Sequence, residues 1–259
     1  MIGTSLTSVM ETSWLVCPKP NPQARLRLFC FPYAGGNAMI YRQWQASLPP
    51  SVEVCAVQLP GRGKRIQERP YDRVQPLVKA AKSALLPFFD KPFAFLGHSM
   101  GGLISFELAR QLRRDSNRMP AHLFVSGRRA PQLPRREAPT YDLPEAEFLD
   151  ALRRLEGTPA EVLQQPELMQ LMLPLLRADF AVCETYAYTA EPPLDCPISA
   201  FGGLQDSDVE RGHLEGWTAQ TTAATRVRML PGDHFFINSQ QPLLLRALAH
   251  DLQQLIASL

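Results

Sequence analysis

A serine in the pattern G-x-S-x-G is the residue of this chain most clearly placed to do chemistry. Gly97, Ser99 and Gly101 match the pattern. An apolar run over 93–96 precedes it, and residues 102–109 repeat their apolar positions at the spacing of a helix. A strand that turns sharply into a helix exposes the serine hydroxyl above a sheet, and glycines are needed where neighbouring backbone passes closely. The pattern therefore predicts that Ser99 is a nucleophile.

A serine nucleophile needs a base, and the chain offers five histidines. His234 follows the strand-like run 226–230, so we expect it on a loop at the carboxyl end of a strand, where catalytic residues gather in open α/β sheets. His98 adjoins the serine in the chain, and its side chain should diverge from it. His234 is thus the predicted base, and the others are interpreted as packing or surface residues: His122, His213 and His250.

The carboxylate that orients the base is expected on the loop after the strand-like run 198–201. Asp206 lies three residues after a glycine at the strand end, a position suited to turn its carboxylate toward the histidine. Asp208 is the alternative, although an aspartate before a helix commonly caps it. Asp233 adjoins His234, and its side chain should diverge from the imidazole. We favour Asp206 and keep Asp208 open.

An oxyanion hole would combine the backbone N–H of Met100 with an N–H from the loop after an early strand. Residues 26–31 are typical of such a strand, and residues 32–36 form a loop rich in small side chains. Small residues let the backbone approach a carbonyl group closely. An ordinary turn is the alternative for this loop, but its combination with Ser99 indicates a second oxyanion donor.

Strand-like and helical segments alternate along the chain, which predicts a mostly parallel sheet with helices on both faces. Helical spacing marks residues 74–86 and 102–109, and residues 241–259 carry leucines along one helix face. The strand-like runs are residues 26–31, 52–57, 93–96, 122–125, 198–201 and 226–230.

The composition is typical of a soluble globular protein. The 259 residues are 45% hydrophobic and 20% charged, with a formal net charge of +2. That charge is too small to imply a nucleic-acid partner, and no apolar run has the length of a membrane span. The histidines and cysteines show no metal-ligand spacing, so no metal site is expected. Buried thiols at Cys30 and Cys55, with no C-x-x-C pair, suit a reducing cytoplasm.

Five segments, in this order, resemble the free-standing type II thioesterases that serve polyketide synthases and nonribosomal peptide synthetases. They are residues 31–36, 59–63, 97–101, 155–159 and 231–236. The resemblance runs from about Leu26 to the C-terminus. The chain departs from the family's pattern at Glu156, where a glycine is usual in the turn of the lid.

This resemblance implies an α/β-hydrolase core with a helical lid. It also implies hydrolysis of acyl groups from the phosphopantetheine arm of acyl or peptidyl carrier proteins, with no cofactor other than the arm that the substrate carries. By position, Ser99 resembles the nucleophile, Asp206 the acid and His234 the base. Ala34 and Met100 resemble the oxyanion donors. We expect a cytoplasmic monomer that needs neither nucleic acid nor membrane.

The alternation of segments stops over residues 128–194, where a basic, proline-broken loop precedes two helical stretches. We interpret this insertion as a lid that excludes water and gates the substrate. Residues 25–127 and 195–259 are then one core, and residues 1–24 a loosely ordered lead-in. Four arginines of the insertion are either solvated charge or a basic rim for an acidic carrier protein: Arg128, Arg129, Arg135 and Arg136.

Two other function classes stay open from the sequence alone. A general serine esterase, a lipase or a cyclising thioesterase would use the same three side chains. A non-catalytic carrier-binding protein would keep the fold after losing activity. The presence of Ser99, Asp206 and His234 together favours an enzyme.

Overall fold

The computed structural model describes residues 12–116, 118–135, 138–154 and 165–259. Its strands form a single sheet. They are β1 (Leu15–Val16), β2 (Leu26–Phe31), β3 (Val52–Val57), β4 (Phe93–His98), β5 (Leu123–Ser126), β6 (Ile198–Gly203) and β7 (Thr225–Leu230). The order across the sheet is β1-β3-β2-β4-β5-β6-β7, in which β1 is antiparallel to β3 and all other pairs are parallel.

Helices connect the parallel strands, as crossover connections require. They are α1 (Val74–Leu85), α2 (Met100–Ser116), α3 (Glu145–Arg154), α4 (Pro166–Glu184), α5 (Arg211–Glu215), α6 (Phe236–Ser239) and α7 (Gln241–Ser258). Short 3₁₀ turns cover Ala38–Tyr41, Trp44–Ser47, Gly63–Arg65, Leu86–Phe88 and Gly216–Gln220. Along the described chain, no helix has both the length and the apolar composition needed to cross a membrane.

Two hydrophobic clusters lie on opposite faces of the sheet. Alternate residues of a strand point to opposite faces, so Phe29 packs in one cluster with α1 and α2 while Leu28 packs in the other with α7. Strands β2, β3 and β4 are buried along their whole length. Burial on both faces explains why these strands are continuous apolar runs rather than alternating ones.

The insertion between β5 and β6 contains α3 and α4, which share a small apolar cluster of their own that includes Phe148 and Leu173. Residues 155–164 lie outside the described residues, and the departure at Glu156 lies there with them. Of the predicted lead-in before Arg25, the structure describes residues 12–24. Strand β1 in this part pairs with the edge of β3, and Leu15 is fully buried there, so apolar burial fixes β1 against the sheet.

Candidate active site

The backbone at Ser99 adopts the strained turn that the sequence pattern predicts. Ser99 has φ +52°, a left-handed conformation that residues with a side chain rarely adopt. Strand β4 ends and α2 begins around it. A Cβ atom on Gly97 would lie 2.1 Å from the Gly101 carbonyl oxygen, and one on Gly101 would lie 2.1 Å from the Phe31 carbonyl oxygen. Both positions therefore require glycine because β2, β4 and α2 meet there.

The structure brings the three predicted side chains together at the carboxyl edge of the sheet. His234 Nε2 lies 3.0 Å from Ser99 Oγ, and His234 Nδ1 lies 2.7 Å from Asp206 Oδ2. These residues follow β7, β4 and β6, whose carboxyl ends lie at the same edge. The imidazole can therefore accept the serine proton at one nitrogen while it donates to the carboxylate from the other.

Backbone groups fix the second oxygen of the Asp206 carboxylate. Asp206 Oδ1 accepts the N–H groups of Asp208 and Val209 at 2.9 and 3.0 Å, and the carboxylate side chain is 1% exposed. Asp208, the alternative acid, contributes its backbone N–H to Asp206. Asp233 accepts the N–H of Phe235. Of the three aspartates considered, Asp206 is the one bonded to His234.

Ala34 and Met100 carry the two backbone N–H groups that the sequence predicts as oxyanion donors. Within the described residues, neither the N–H of Ala34 nor that of Met100 donates a hydrogen bond. Ala34 lines the same cavity as Ser99, and Met100 is the first residue of α2. The Tyr41 hydroxyl donates to the Phe31 carbonyl at 2.7 Å and so anchors the end of β2, from which the Ala34 loop departs. Both N–H groups are thus unbonded in the described part of the chain, as oxyanion donors must be before a substrate binds, and their role stays a prediction.

His98 contributes to the site in a way that sequence reasoning missed. Its Nε2 lies 2.9 Å from the His234 carbonyl oxygen, so this nitrogen must carry the proton. Its Nδ1 then accepts from the Ser126 hydroxyl at 2.9 Å. Burial, followed by the nearby His234, holds the pKa of His98 well below its usual range. A neutral His98 thus supports the backbone of the loop that carries His234.

The signal for this role was weak in the sequence. The His98 side chain bonds to Ser126 and to the His234 backbone, and not to Ser99. Its partner Ser126 lies directly across from it in the β4–β5 register. Register and the path of the distant His234 loop are tertiary properties, so neither contact could be read from spacing along the chain.

A cavity of about 530 Å³ opens onto Ser99 and His234. Helices α3 and α4 supply much of its apolar wall, including Leu152, Leu176 and Phe180. The cavity is large enough for a small acyl group and part of an extended arm. The two inserted helices therefore form a wall of the space where a substrate carbonyl meets Ser99.

Three of the four arginines considered for a basic rim lie at this cavity. Arg128, Arg129 and Arg135 line it, whereas Arg136 lies outside the described residues. Arg129 donates to the Asp208 carbonyl at 3.0 Å, and Arg135 pairs with Glu184 at 2.8 Å. Two of these arginines thus serve the structure of the rim as well as its charge.

Neither a metal cluster nor a disulfide is present in the described part of the chain. No group of three or more His, Cys, Asp or Glu residues is arranged there to hold a metal ion. All five cysteines are free thiols, and Cys30 and Cys55 are buried as predicted. Burial raises the pKa of the Cys30 thiol well above its usual value, so it stays protonated.

The fold is that of a thioesterase. The chain belongs to the thioesterase domain family, whose model matches residues 26–252. It is an enzyme that hydrolyses thioesters. The resemblance drawn from the five sequence segments is confirmed, and so is the predicted α/β-hydrolase architecture with a mostly parallel sheet.

Known proteins of biosynthetic pathways are similar to this chain. The linear gramicidin dehydrogenase LgrE of Brevibacillus parabrevis is 48% identical over 95% of this chain and 95% of its own length. The name of LgrE describes a dehydrogenase, whereas the family model describes a thioesterase. The RedJ thioesterase of the prodiginine pathway of Streptomyces coelicolor superimposes with a TM-score of 0.82, at 42% identity over 88% of this chain and 85% of its own.

A third similar protein carries the description of a type II thioesterase. This is BorB, from the borrelidin biosynthetic cluster, which superimposes with a TM-score of 0.84. It is 33% identical to this chain, with 92% of this chain and 97% of BorB covered. The similarity therefore extends over most of the length of both chains.

Proposed function

We propose that this protein is a free-standing type II thioesterase that removes acyl groups from the phosphopantetheine arm of carrier proteins in polyketide or nonribosomal peptide biosynthesis. One observation carries the catalytic part of the proposal. The His234 imidazole bonds to Ser99 and to Asp206 at the same time, at the base of an open cavity. The biosynthetic context is supported by the similarity to LgrE, RedJ and BorB.

Acylation begins when the Ser99 oxygen attacks the thioester carbonyl carbon. His234 Nε2 lies 3.0 Å from this oxygen and takes its proton. The Asp206 carboxylate keeps the proton on His234 Nδ1 and stabilises the imidazolium that forms. When the tetrahedral intermediate collapses, the carbon–sulfur bond breaks, and the thiolate of the arm receives the proton that His234 holds. The acyl group stays on Ser99 as an ester.

The oxyanion of the tetrahedral intermediate is bound by the N–H groups of Ala34 and Met100. Both groups lack a protein acceptor within the described residues, so they are available before the substrate arrives. Donors that are already oriented stabilise the developing charge without a reorganisation cost, and loss of one such donor raises the barrier by about 3–4 kcal/mol. The positive end of α2 adds to this field at Met100.

Water then completes the cycle. His234 removes a proton from a water molecule that attacks the acyl ester, and Ser99 regains a proton as the carboxylic acid leaves. Helices α3 and α4 act as a lid in this proposal, because they wall the cavity and limit the access of water to the acyl-serine. The apolar side chains of the lid accept acyl chains of different shapes.

The carrier protein docks at the rim of the cavity. Arg128, Arg129 and Arg135 place positive charge where the arm must enter. An acidic carrier protein is steered toward such a rim, and the attraction weakens as salt is added. Since Arg129 and Arg135 also hold the rim together, Arg128→Glu is the cleaner probe of docking. We expect it to lower kcat/KM for a carrier-bound thioester more than for the same acyl group on free pantetheine.

Paired substrates test the proposed function. An acyl thioester on a holo carrier protein is compared with the oxygen ester of the same acyl group. We expect kcat/KM to be at least about tenfold higher for the carrier substrate, since about 1.4 kcal/mol of added recognition suffices. Labelling with a fluorophosphonate probe, followed by peptide mass spectrometry, should locate the modification on Ser99.

Three outcomes would contradict the proposal. Preference for the oxygen ester would instead indicate a general esterase. Release of a cyclic product, rather than a free acid, would indicate a cyclising thioesterase. Carrier binding without turnover or probe labelling would indicate a binding protein that has lost catalysis.

A further inference from the structure

A carboxylate on the inserted helix α4 reaches the loop that carries the first oxyanion donor. Asp179 Oδ2 accepts the backbone N–H of Gly35 at 2.8 Å. Asp179 is 2% exposed and does not line the cavity with the reacting groups. Gly35 follows Ala34 directly, so a helix of the insertion bonds to the residue beside the oxyanion donor.

The same carboxylate is paired with a buried arginine from a second loop. Arg62 donates to both oxygens of Asp179, at 2.7 and 2.8 Å, and is 4% exposed. It also donates to the Gly36 carbonyl at 3.1 Å. The Asp179–Arg62 pair therefore bonds to the loop of residues 33–36 at two points, the N–H of Gly35 and the carbonyl of Gly36.

The other hydrogen bonds of this loop leave one of its backbone N–H groups unbonded. The N–H of Gly36 donates to the Tyr33 carbonyl at 2.9 Å and closes a turn. Gly35 is the third residue of this turn and has φ +75°, the positive value that a type II turn requires there. A Cβ atom there would lie 2.8 Å from the Leu176 side chain, so α4 packs directly against the turn. Of the N–H groups at positions 34–36, that of Ala34 is the one left unbonded within the described residues.

We propose that Asp179, held by Arg62, is a positioning residue that sets the oxyanion loop, so that docking of helix α4 and assembly of the oxyanion hole are a single event. The inference rests on the proposed function, because it concerns the donor at Ala34. When α4 leaves the core, Gly35 loses its acceptor and the turn loses its contact with Leu176. The enzyme is then open to substrate and lacks an oriented donor at Ala34.

Two double variants isolate the bond to Gly35. Arg62→Met with Asp179→Asn removes both buried charges and keeps a carbonyl oxygen for the Gly35 N–H. Arg62→Met with Asp179→Leu removes both charges and that acceptor, with a side chain of similar size. We expect kcat of the leucine variant to be about 10- to 100-fold lower than that of the asparagine variant, with KM changed little.

Inhibitor binding separates positioning from stability. An acyl trifluoromethyl ketone forms a tetrahedral adduct with Ser99 and needs the oxyanion hole, whereas a thioether analogue without a carbonyl does not. Between the two double variants, Ki of the ketone should rise by the factor by which kcat/KM falls, while Kd of the thioether stays the same. A purely structural role would lower the melting temperature and leave the ketone's Ki unchanged relative to the thioether.

A matched control and a single variant complete the test. Glu53→Gln weakens another buried pair, Arg27–Glu53 at 2.8 Å, near the amino ends of β2 and β3, and should destabilise the protein without changing the ketone's Ki. Asp179→Asn alone should lower kcat and raise the Ki of the ketone by equal factors. Equal kcat and Ki in the two double variants overturn the inference alone. A wild-type protein that neither hydrolyses thioesters nor binds the ketone at Ser99 overturns the proposed function as well.

Discussion

The described residues contain two Ser–His–Asp sets, and their side chains are bonded in different orders. At the carboxyl edge of the sheet, His234 stands in the middle, between Ser99 and Asp206. Near the start of β6, Ser199 stands in the middle instead. Its hydroxyl donates to Asp251 at 2.7 Å and lies 3.0 Å from His122 Nε2.

The direction of the protons makes the second constellation inert. The Ser199 proton points to Asp251, so the His122 nitrogen that faces this oxygen must donate to it. A base that already carries a proton on that nitrogen cannot accept another from the serine. Ser199 is also fully buried, and Asp251 is further bonded to Arg226 and Arg228. This set ties α7 to the sheet.

Residue types alone therefore do not define a catalytic site. The first set has a left-handed serine at a strand–helix turn, an open cavity and unbonded N–H groups beside it. The second has none of these features among the residues described. Backbone geometry and access from solvent therefore determine which of two similar sets can react.

Exchange of the two serines for alanine should give the largest contrast. We expect Ser99→Ala to lower kcat by at least about 10⁴-fold, because the nucleophile is lost. Ser199→Ala should leave kcat nearly unchanged and lower the free energy of unfolding by about 1–3 kcal/mol, since a buried donor and acceptor lose their partner. Turnover of the carrier substrate and urea denaturation measure the two effects. Near-normal turnover by Ser99→Ala would refute its assignment as the nucleophile.

Exchange of Asp206 and of Asp251 for asparagine compares the carboxylates of the two sets. Asp206→Asn should lower kcat by about 10⁴-fold, since an amide favours the wrong tautomer of His234. Asp251→Asn should affect stability and not turnover, because its partners are structural. Both variants are nearly isosteric, so the comparison is matched in volume. Equal losses of activity would mean that the buried network also supports the reaction.

His98 should give a smaller effect on catalysis. His98→Leu removes the donor to the His234 carbonyl, so the loop shifts and kcat falls by about 10- to 100-fold. His98→Gln places an amide donor in the same region and should restore part of that loss. The wild type and both variants are compared by kcat and by melting temperature. A loss of stability in His98→Leu without a loss of kcat would show that His98 does not position His234.

His122 should make stability depend on pH. Burial is the main cause that lowers the pKa of His122 to about 4. In the unfolded chain, the His122 imidazole has a pKa near 6.5 and binds a proton that the folded protein excludes. The free energy of unfolding therefore falls as the pH drops. Between pH 7 and pH 5 this histidine should account for about 2 kcal/mol of that fall. Urea titrations of His122→Asn should show a correspondingly shallower slope, and an unchanged slope would contradict the assignment.

Much of the fold could be predicted because it depends on local patterns. Strands β2 and β3 coincide with the predicted runs at 26–31 and 52–57, since both are continuous apolar segments. Strand β1 was missed because two residues carry no periodicity, and it is ordered by pairing with β3. The lid boundaries and the basic rim stay predictions.

The parts of the candidate site that could be predicted are also those that depend on local patterns. Ser99 and His234 were predicted from a turn pattern and from a loop after a strand, both local features. The choice between Asp206 and Asp208 was left open, because two carboxylates on one loop differ only in where the backbone turns them. The contacts of His98 and Asp179 were not predicted, since their partners lie 28 to 144 positions away along the chain.

The amino-acid sequence by itself determined the reactive turn, the alternation of strands and helices, and the family to which the chain belongs. These properties follow from short-range sterics and the periodicity of apolar residues, which neighbours along the chain specify. Tertiary structure determines which serine lines a cavity, which aspartate bonds to His234, and which helix bonds to the loop at Gly35. Those outcomes depend on strand register and on packing between distant segments, which bring together groups that no local pattern relates.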